Sequence, residues 1–169
     1  MLPLRDKRVV VVGLGTSGVA ACRLLAARGA RVVATDKKPR EAASPGVLAL
    51  EALGVELALG GHEAARLAEA DLVVISPGVP SFAELEAAER AGVPVWGEVE
   101  LATRALAHPT RLVAVGGTNG KSTTTSLVGA LLEAAGVTPI TGGNLGEPLA
   151  AHADERFGAV VLEVSSFQM

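Results

Sequence analysis

Residues 8–18 read RVVVVGLGTSG, a β-branched run that passes directly into a glycine-rich turn. A continuous run of this kind is typical of a strand buried on both faces, as in a parallel sheet. The glycines at 13, 15 and 18 have the spacing G-x-G-x-x-G, and an Ala/Leu-rich helix is predicted over residues 19–28. The order strand, glycine turn, helix therefore predicts the first unit of a parallel α/β fold.

Each glycine of this loop has a physical role in binding a diphosphate. Gly13 permits a tight turn, Gly15 lets the backbone approach the ligand, and Gly18 allows close packing of helix on strand. The diphosphate would lie at the helix N-terminus, where amide donors are unpaired. Asp36 ends the next predicted strand, where a ribose-binding acid is expected. Taken alone, the pattern indicates a dinucleotide site, with a plain tight turn as the alternative.

The alternation of strand and helix continues to residue 97. Strands are predicted over 31–35, 55–59, 72–75 and 93–96, with Pro94 favouring an edge position for the last one. Helices are predicted over 45–53 and 82–91, and one or two helical turns over 63–69. Five strands of this kind predict a Rossmann-like parallel-sheet domain that covers residues 1–97.

The pattern then starts again. A helix is predicted over 98–107, strands over 111–115, 137–141 and 159–163, and a long helix over 122–135. Three strands and one long helix cannot cover both faces of a sheet. We therefore expect residues 98–169 to be the truncated start of a P-loop ATPase α/β domain, in the N-terminal part of a longer protein. The alternative is a short appendage that extends the first sheet.

A second glycine loop, GGTNGKST at residues 116–123, lies between strand and helix. Its amides can cradle phosphates, Lys121 can reach the β and γ phosphates, and the Ser122 hydroxyl can bind Mg²⁺. The standard P-loop spacing would put a glycine at position 115, where Val115 stands, so this loop is one residue tighter. That departure argues against a GTPase-like switch protein. Two different phosphate loops indicate an enzyme that binds one phosphate-bearing ligand in each domain.

Composition excludes several classes of protein. The 169 residues carry a net charge of −3 and only 2% aromatic residues, so neither the basic face nor the stacking rings of a nucleic-acid binder are expected. The longest uncharged stretch, residues 9–22, is shorter than the roughly 20 apolar residues of a membrane span. No secretory signal is visible. We expect a cytoplasmic monomer with no membrane partner, in which Cys22 is a small core residue and His62, His108 and His152 are loop or surface residues.

Several stretches resemble a known family. Residues 117–122, GTNGKS, resemble the G-T-N-G-K-[ST] loop of the Mur ligase superfamily, which includes the folylpolyglutamate synthases. Three further stretches are similar to that superfamily: SPG at 76–78, GGNLG at 142–146 and EVSSFQ at 163–168. The last resembles the branch that adds D-glutamate. The resemblance covers essentially the whole chain but only the first part of a full-length ligase.

The resemblance implies that the first domain binds the UDP of UDP-N-acetylmuramoyl-L-alanine and not NAD. A UDP diphosphate presents nearly the same charge to a helix N-terminus as a dinucleotide pyrophosphate does. The implied substrate-binding residues are Gly15, Thr16 and Ser17 at the diphosphate and uridine, Asp36, Lys37 and Lys38 around uracil and ribose, Ser76 and Gly78 at the phosphates, and Asn144 and Ser165.

The resemblance further implies ATP-dependent amide bond formation with D-glutamate, through an acyl phosphate. Lys121 would neutralise phosphate charge, Ser122 and Glu163 would hold Mg²⁺, and Asn144 would orient substrate or phosphate. The ATP-binding residues would be Gly117, Thr118, Asn119, Gly120, Lys121, Ser122 and Thr123.

Other metal, adenine and D-glutamate contacts of the family come from later sequence, so these 169 residues alone are expected not to catalyse the ligation. The alternatives are another Mur-type or folylpolyglutamate-type ligase, or a non-catalytic nucleotide-binding or NAD-dependent redox module.

Overall fold

The computed structural model describes residues 4–108, 110–143 and 147–164. These residues form two parallel sheets, which confirms the predicted α/β class. The first sheet has the strand order β3-β2-β1-β4-β5, with β1 at its centre and β5 at the edge that Pro94 predicts. Its strands are β1 (Arg8–Val12), β2 (Arg31–Asp36), β3 (Glu56–Leu59), β4 (Leu72–Ile75) and β5 (Val95–Gly97).

Five α-helices and several 3₁₀ turns connect the strands of the described residues. The helices are α1 (Thr16–Ala27), α2 (Pro45–Leu48), α3 (Ala83–Arg90), α4 (Glu98–Ala105) and α5 (Lys121–Ala134). The 3₁₀ turns are Arg40–Ala42, Ala49–Leu53, Glu63–Ala65, Leu67–Glu69 and Leu149–His152.

One predicted helix differs from the structure, and the one or two helical turns predicted over 63–69 are found as two 3₁₀ turns. The helix expected over 45–53 is α-helical for one turn only, after which residues 49–53 tighten to 3₁₀ geometry and end at the left-handed Gly54. The turns over 63–69 are separate because Arg66 takes a left-handed conformation, φ 44°, between them. Such local breaks follow from backbone dihedrals that side-chain periodicity does not reveal.

The second sheet has the order β6-β8-β7, all parallel. Its strands are β6 (Arg111–Val115), β7 (Pro139–Gly143) and β8 (Ala159–Glu163), and every residue of β8 is buried. Helix α5 packs on β7 and β8. A Cβ at Gly129 would lie 2.7 Å from Thr141 Cγ2, so glycine lets this helix approach the sheet closely.

The first sheet is buried on both faces, as its β-branched strands predict. Val9 and Val11 pack with α1 on one face, and Cys22 is fully buried there, which confirms its predicted place in the core. Val10 and Val12 belong to a second apolar cluster on the opposite face, with Leu85 of α3 at its outer side.

Helix α4 connects the two sheets. Its fully buried residues Leu101 and Ala102 share one apolar cluster with α1 and with Leu149, which follows the second sheet's strand β7. The Ala150 amide donates to Glu98 Oε1 at 3.0 Å. The segment predicted to open the second domain therefore also packs on the first sheet, and a boundary between residues 97 and 98 stays a prediction. Within the described ranges, no helix has both the length and the apolar run needed to cross a bilayer.

Candidate functional site

The first glycine loop lies at the carboxyl end of β1 and leads into α1. Gly13 has φ 85°, and a Cβ there would lie 2.7 Å from Val79 Cγ2. A Cβ at Gly18 would overlap the carbonyl oxygen of Gly13. Both positions therefore need glycine for the reasons that the sequence predicts, a tight turn and close packing of helix on strand.

The N-terminus of α1 is open. Its N-cap residue, Gly15, is extended, and no side chain caps the helix. Among the described residues, no group accepts a hydrogen bond from the amides of Gly15, Thr16 or Ser17. A Cβ at Gly15 would meet nothing within 4 Å. Free amide donors beside open space are what an anion needs at a helix N-terminus.

Asp36 holds the glycine loop against the end of β2. Its Oδ2 accepts from the Leu14 amide at 2.7 Å, and its Oδ1 accepts from the Lys38 amide at 2.9 Å. Leu14, Asp36 and Lys38 line a cavity of about 120 Å³ whose other wall includes Ser44 and Val47. The structure thus brings Asp36 and Lys38 together beside the loop, and Lys37 is exposed next to them.

Ser76 also holds the glycine loop in place. Its Oγ donates to the Gly13 carbonyl at 2.7 Å, and its amide donates to the Val12 carbonyl at 2.9 Å. A hydroxyl has one proton, so in this arrangement Ser76 Oγ can accept from a ligand but has no second proton for a phosphate. Donation from the Ser76 hydroxyl to a phosphate would need that hydroxyl to leave the Gly13 carbonyl. Gly78 is exposed at the same strand end, with φ 82°.

The second glycine loop ends at the N-terminus of α5. Gly117 has φ 143° and the N-cap residue Gly120 has φ 76°, conformations that favour glycine. The Lys121 Nζ lies 3.5 Å from the Thr118 carbonyl oxygen. In the described part of the chain no acceptor faces the amides of residues 121–123. The predicted phosphate cradle therefore has the loop-to-helix geometry that its sequence implies.

Ser122 and Glu163 meet at this helix N-terminus. The Ser122 hydroxyl donates to Glu163 Oε2 at 2.8 Å, and the Glu163 residue is only 6% exposed. Strand register pairs Glu163 with Val115 on one side and Gly143 on the other, so the carboxylate lies at the carboxyl ends of all three strands. Two hard oxygen donors at a phosphate loop fit Mg²⁺. Across the described ranges, no group of three or more His, Cys, Asp or Glu is arranged around a metal position.

Two predicted site residues, Asn144 and Ser165, lie outside the described residues. The remainder of the family stretches, Leu145–Gly146 and residues 166–168, lies outside them as well.

The environment of His62 does not follow from the sequence. His62 was expected in a loop or on the surface, and it does follow β3, but only 6% of it is exposed. Its Nδ1 lies 3.0 Å from Thr35 Oγ1, and its ring stacks on Phe82 with centroids 4.4 Å apart. Burial holds the pKa of the His62 imidazole below its ordinary value. No pattern in the loop sequence signals this, because the contacts come from β2 and from the segment after β4.

Comparison with known proteins finds relatives that match nearly the whole chain. Residues 7–97 match the family model described as Mur ligase MurD-like, N-terminal domain. A UDP-N-acetylmuramoylalanine--D-glutamate ligase of Anaeromyxobacter dehalogenans is 54% identical over 169 residues, which are 98% of this chain and 36% of that relative. The ligase of the same name from Pelotomaculum thermopropionicum is 47% identical over 96% of this chain and 36% of its own length. The chain thus spans little more than a third of these relatives.

Solved structures agree at the level of the fold. The UDP-N-acetylmuramate:L-alanyl-gamma-D-glutamyl-meso-diaminopimelate ligase of Neisseria meningitides matches with a TM-score of 0.54 and 27% identity, over 96% of this chain and 55% of that one. A murein peptide ligase from Psychrobacter arcticus matches with a TM-score of 0.56 and 21% identity, over 97% and 40% of the two chains.

Proposed function

Because the chain belongs to the family of Mur ligase MurD-like N-terminal domains, we propose that it carries the nucleotide-sugar site and the phosphate loop of an ATP-dependent ligase. The proposed reaction adds D-glutamate to UDP-N-acetylmuramoyl-L-alanine during cytoplasmic synthesis of peptidoglycan precursors, by a monomeric enzyme. The single observation that carries the proposal is the contact of Ser122 Oγ with Glu163 at the N-terminus of α5. A dinucleotide-binding redox module does not need a second phosphate loop with a hydroxyl and a carboxylate placed to bind Mg²⁺.

The first site is proposed to bind the UDP moiety. Its diphosphate would accept hydrogen bonds from the unpaired amides of Gly15, Thr16 and Ser17, where the helix dipole favours negative charge. The uridine would lie toward Asp36 and the two exposed lysines that follow it, Lys37 and Lys38. Ser76 and Gly78 would border the phosphates on the β4 side.

The second site is proposed to bind ATP with Mg²⁺. Residues 117–123 would surround the β and γ phosphates, and the Lys121 ammonium would offset their charge. Ser122 and Glu163 would hold the Mg²⁺, for which their oxygens are suitable ligands. When bound, the cation supplies charge neutralisation for the phosphates. The burial of Glu163 supports this role, because a buried carboxylate needs a positively charged partner such as a cation.

The chemistry proposed for the whole enzyme is transfer through an acyl phosphate. The substrate carboxylate attacks the γ-phosphate of ATP and ADP leaves; the D-glutamate amine then attacks the acyl carbon and phosphate leaves. The contribution of this chain is positioning and charge compensation, which supply most of the rate in phosphoryl transfer. Asn144 and Ser165 are proposed as further substrate contacts, by family resemblance.

Calorimetric titration tests the first site. We expect the 169-residue chain to bind UDP-N-acetylmuramoyl-L-alanine and to show no heat with NADH. Binding of NADH without binding of the sugar nucleotide would reject the ligase and favour the redox module.

Nucleotide titration with Mg²⁺ tests the second site. We expect Glu163→Gln to abolish the Mg²⁺ dependence of ATP binding, while the matched variant Glu133→Gln, on an exposed position of α5, keeps it. Equal Mg²⁺ dependence in both variants would remove Glu163 from the metal site.

ADP release that depends on both the muramoyl substrate and D-glutamate, from these 169 residues alone, would show that the expected lack of ligation is wrong.

A further inference from the structure

The tautomer of His62 follows from its hydrogen bonds. The Thr35 hydroxyl donates its only proton to the Gly61 carbonyl, at 2.9 Å. It can therefore only accept from His62 Nδ1, which lies 3.0 Å away. The proton of the neutral imidazole is thus on Nδ1, and the lone pair of Nε2 is free to accept a hydrogen bond.

The Nε2 atom of the ring has some contact with solvent. Within the described residues Nε2 has no hydrogen-bond partner, yet it is not one of the fully buried unpaired polar atoms, of which the only described example is Thr125 Oγ1. Nε2 is therefore accessible to solvent although His62 as a whole is 6% exposed. The Phe82 ring packs against His62 at an interplanar angle of 30°, with 4.4 Å between centroids.

His62 lies at the carboxyl end of the first sheet, close enough to Asp36 and Lys37 for their charges to act on its ring. His62 follows β3 and Phe82 precedes α3, after β4, so the stacked pair spans the carboxyl ends of β2 and β1. From β1 the chain first builds the sheet outward through β2 and β3, and it then crosses to the other side of β1 to form β4. Ligands of open parallel sheets bind in the crevice at this change of side, between β1 and β4.

Burial favours the neutral form of the ring. Desolvation lowers the pKa of His62, and Lys37 lowers it further, while Glu84 of α3 and Asp36 at the end of β2 act in the opposite direction. A neutral ring with a free Nε2 offers an acceptor and no donor at that atom. It cannot serve a diphosphate, whose oxygens also accept.

We propose that His62 is a further binding residue of the first site, which accepts through Nε2 a hydrogen bond from a hydroxyl or imide N–H group on the nucleoside part of a sugar nucleotide. The proposal rests on the proposed function. Each Asp36 oxygen already accepts one hydrogen bond from a backbone amide, of Leu14 or Lys38, whereas His62 Nε2 accepts none from the described residues. The Thr35 bond and the Phe82 stack hold that acceptor in place without the ligand.

The test compares binding of UDP and of UDP-N-acetylmuramoyl-L-alanine to the wild-type chain, to His62→Phe and to the control His108→Phe, by calorimetry. Phenylalanine keeps a ring against Phe82 and removes both nitrogens. We expect about five- to tenfold weaker binding in His62→Phe, the effect of one hydrogen bond, and no change in His108→Phe. Wild-type affinity should fall as the pH drops through the His62 pKa, because a protonated Nε2 cannot accept, and this fall should vanish in His62→Phe.

A second measurement keeps the proposal testable if His62→Phe does not fold. The ¹⁵N resonance of His62 Nε2 in the wild-type chain should shift on addition of UDP and keep its unprotonated character. An unchanged resonance in the saturated complex, or equal affinity of His62→Phe and wild type, would overturn the role of His62 and leave the proposed function standing. Stronger binding on acidification, lost in His62→Phe, would overturn it too, because the ring would then donate to phosphate. Failure of the wild type to bind either nucleotide would instead reject the proposed function.

Discussion

Two glycines of one motif serve different physical needs. At Gly18 a side chain would overlap the Gly13 carbonyl oxygen and lie 2.8 Å from Ser76 Oγ, so helix and loop touch with no room for a Cβ. At Gly15 the same atom would meet nothing within 4 Å, and φ is −72°, which any residue adopts. Gly18 is therefore a packing residue, whereas the open side of Gly15 leaves room for a ligand.

Alanine substitutions should separate these two roles. We expect Gly18→Ala to lower the free energy of unfolding by about 1–3 kcal/mol, because the added methyl forces helix and loop apart. Gly15→Ala, its matched control, should change stability by less than about 0.5 kcal/mol. Urea denaturation followed by circular dichroism measures both; equal stability of the two variants would contradict the packing role of Gly18.

The pKa of His152 should lie above that of an ordinary histidine, and the pKa of His62 should lie below it. Both ring nitrogens of His152 lie near carboxylates, Nδ1 2.8 Å from Glu155 and Nε2 2.9 Å from Glu147, and these contacts raise its pKa. Burial lowers that of His62. The imidazole proton resonances in an NMR pH titration should give His152 the higher pKa, and the reverse order would contradict the structure.

The same contacts set the sign of one pH effect on stability. Because the His152 pKa is raised in the folded state, its contribution is fully present below the unfolded pKa of about 6.5 and is lost as the pH rises through the folded pKa. His152→Gln should therefore destabilise the protein more in mildly acidic than in alkaline urea titrations.

At the scale of elements, α4 is the piece that joins the two sheets. Its first residue, Glu98, is 1% exposed, and its carboxylate accepts a hydrogen bond from the Ala150 amide. This hydrogen bond connects the helix to the segment after β7. Arg28 near the end of α1 donates to Asp154 Oδ1 at 2.6 Å and to the Ala105 carbonyl at 3.3 Å, which adds a second tie at the far end of α4. The helix thus packs against both units.

The buried carboxyl of Glu98 should make this joint sensitive to pH. Burial raises its pKa, which the Ala150 amide only partly offsets. A raised folded pKa means that stability is full below the unfolded value of about 4.3 and declines as the pH rises through the folded value. The free energy of unfolding of Glu98→Gln, relative to wild type, should therefore increase between about pH 4 and pH 7, whereas Glu89→Gln, exposed on α3, should show no such trend.

At the scale of the whole molecule, the second unit is covered unevenly. Strand β8 is buried, but Leu112 of β6 is 52% exposed, and Leu127 and Leu131 of α5 are 57% and 61% exposed. The sequence predicts this exposure, because three strands and one long helix cannot cover both faces of a sheet. In contrast, Leu101 of α4 is fully buried between the units.

This distribution predicts where truncation of a leucine matters. Leu101→Ala should lower the free energy of unfolding by about 2–5 kcal/mol, the cost of a cavity in a packed core. Leu127→Ala, chosen as its exposed counterpart, should cost less than about 1 kcal/mol, because little apolar surface leaves a packed environment there. Urea titrations of both variants check this, and similar losses would contradict the exposure of α5.

The sequence by itself determined the parallel α/β class, the burial of strand β1 on both faces, the edge strand β5, and two glycine loops at helix N-termini. These features depend on local signals: β-branched runs, glycine spacing and helix-ending residues act within a few positions of the chain. The meeting of Ser122 with Glu163 was also within reach, because the carboxyl ends of parallel strands share one edge of a sheet.

Only the tertiary structure decided how side chains from distant segments share their hydrogen bonds. It placed the Ser76 proton on the Gly13 carbonyl, gave both Asp36 oxygens to backbone amides, and buried His62 between Thr35 and Phe82. Each of these depends on register between strands and on loops that meet across the sheet. A polar side chain takes whichever partner the packed backbone presents, and no local pattern in the chain specifies that partner.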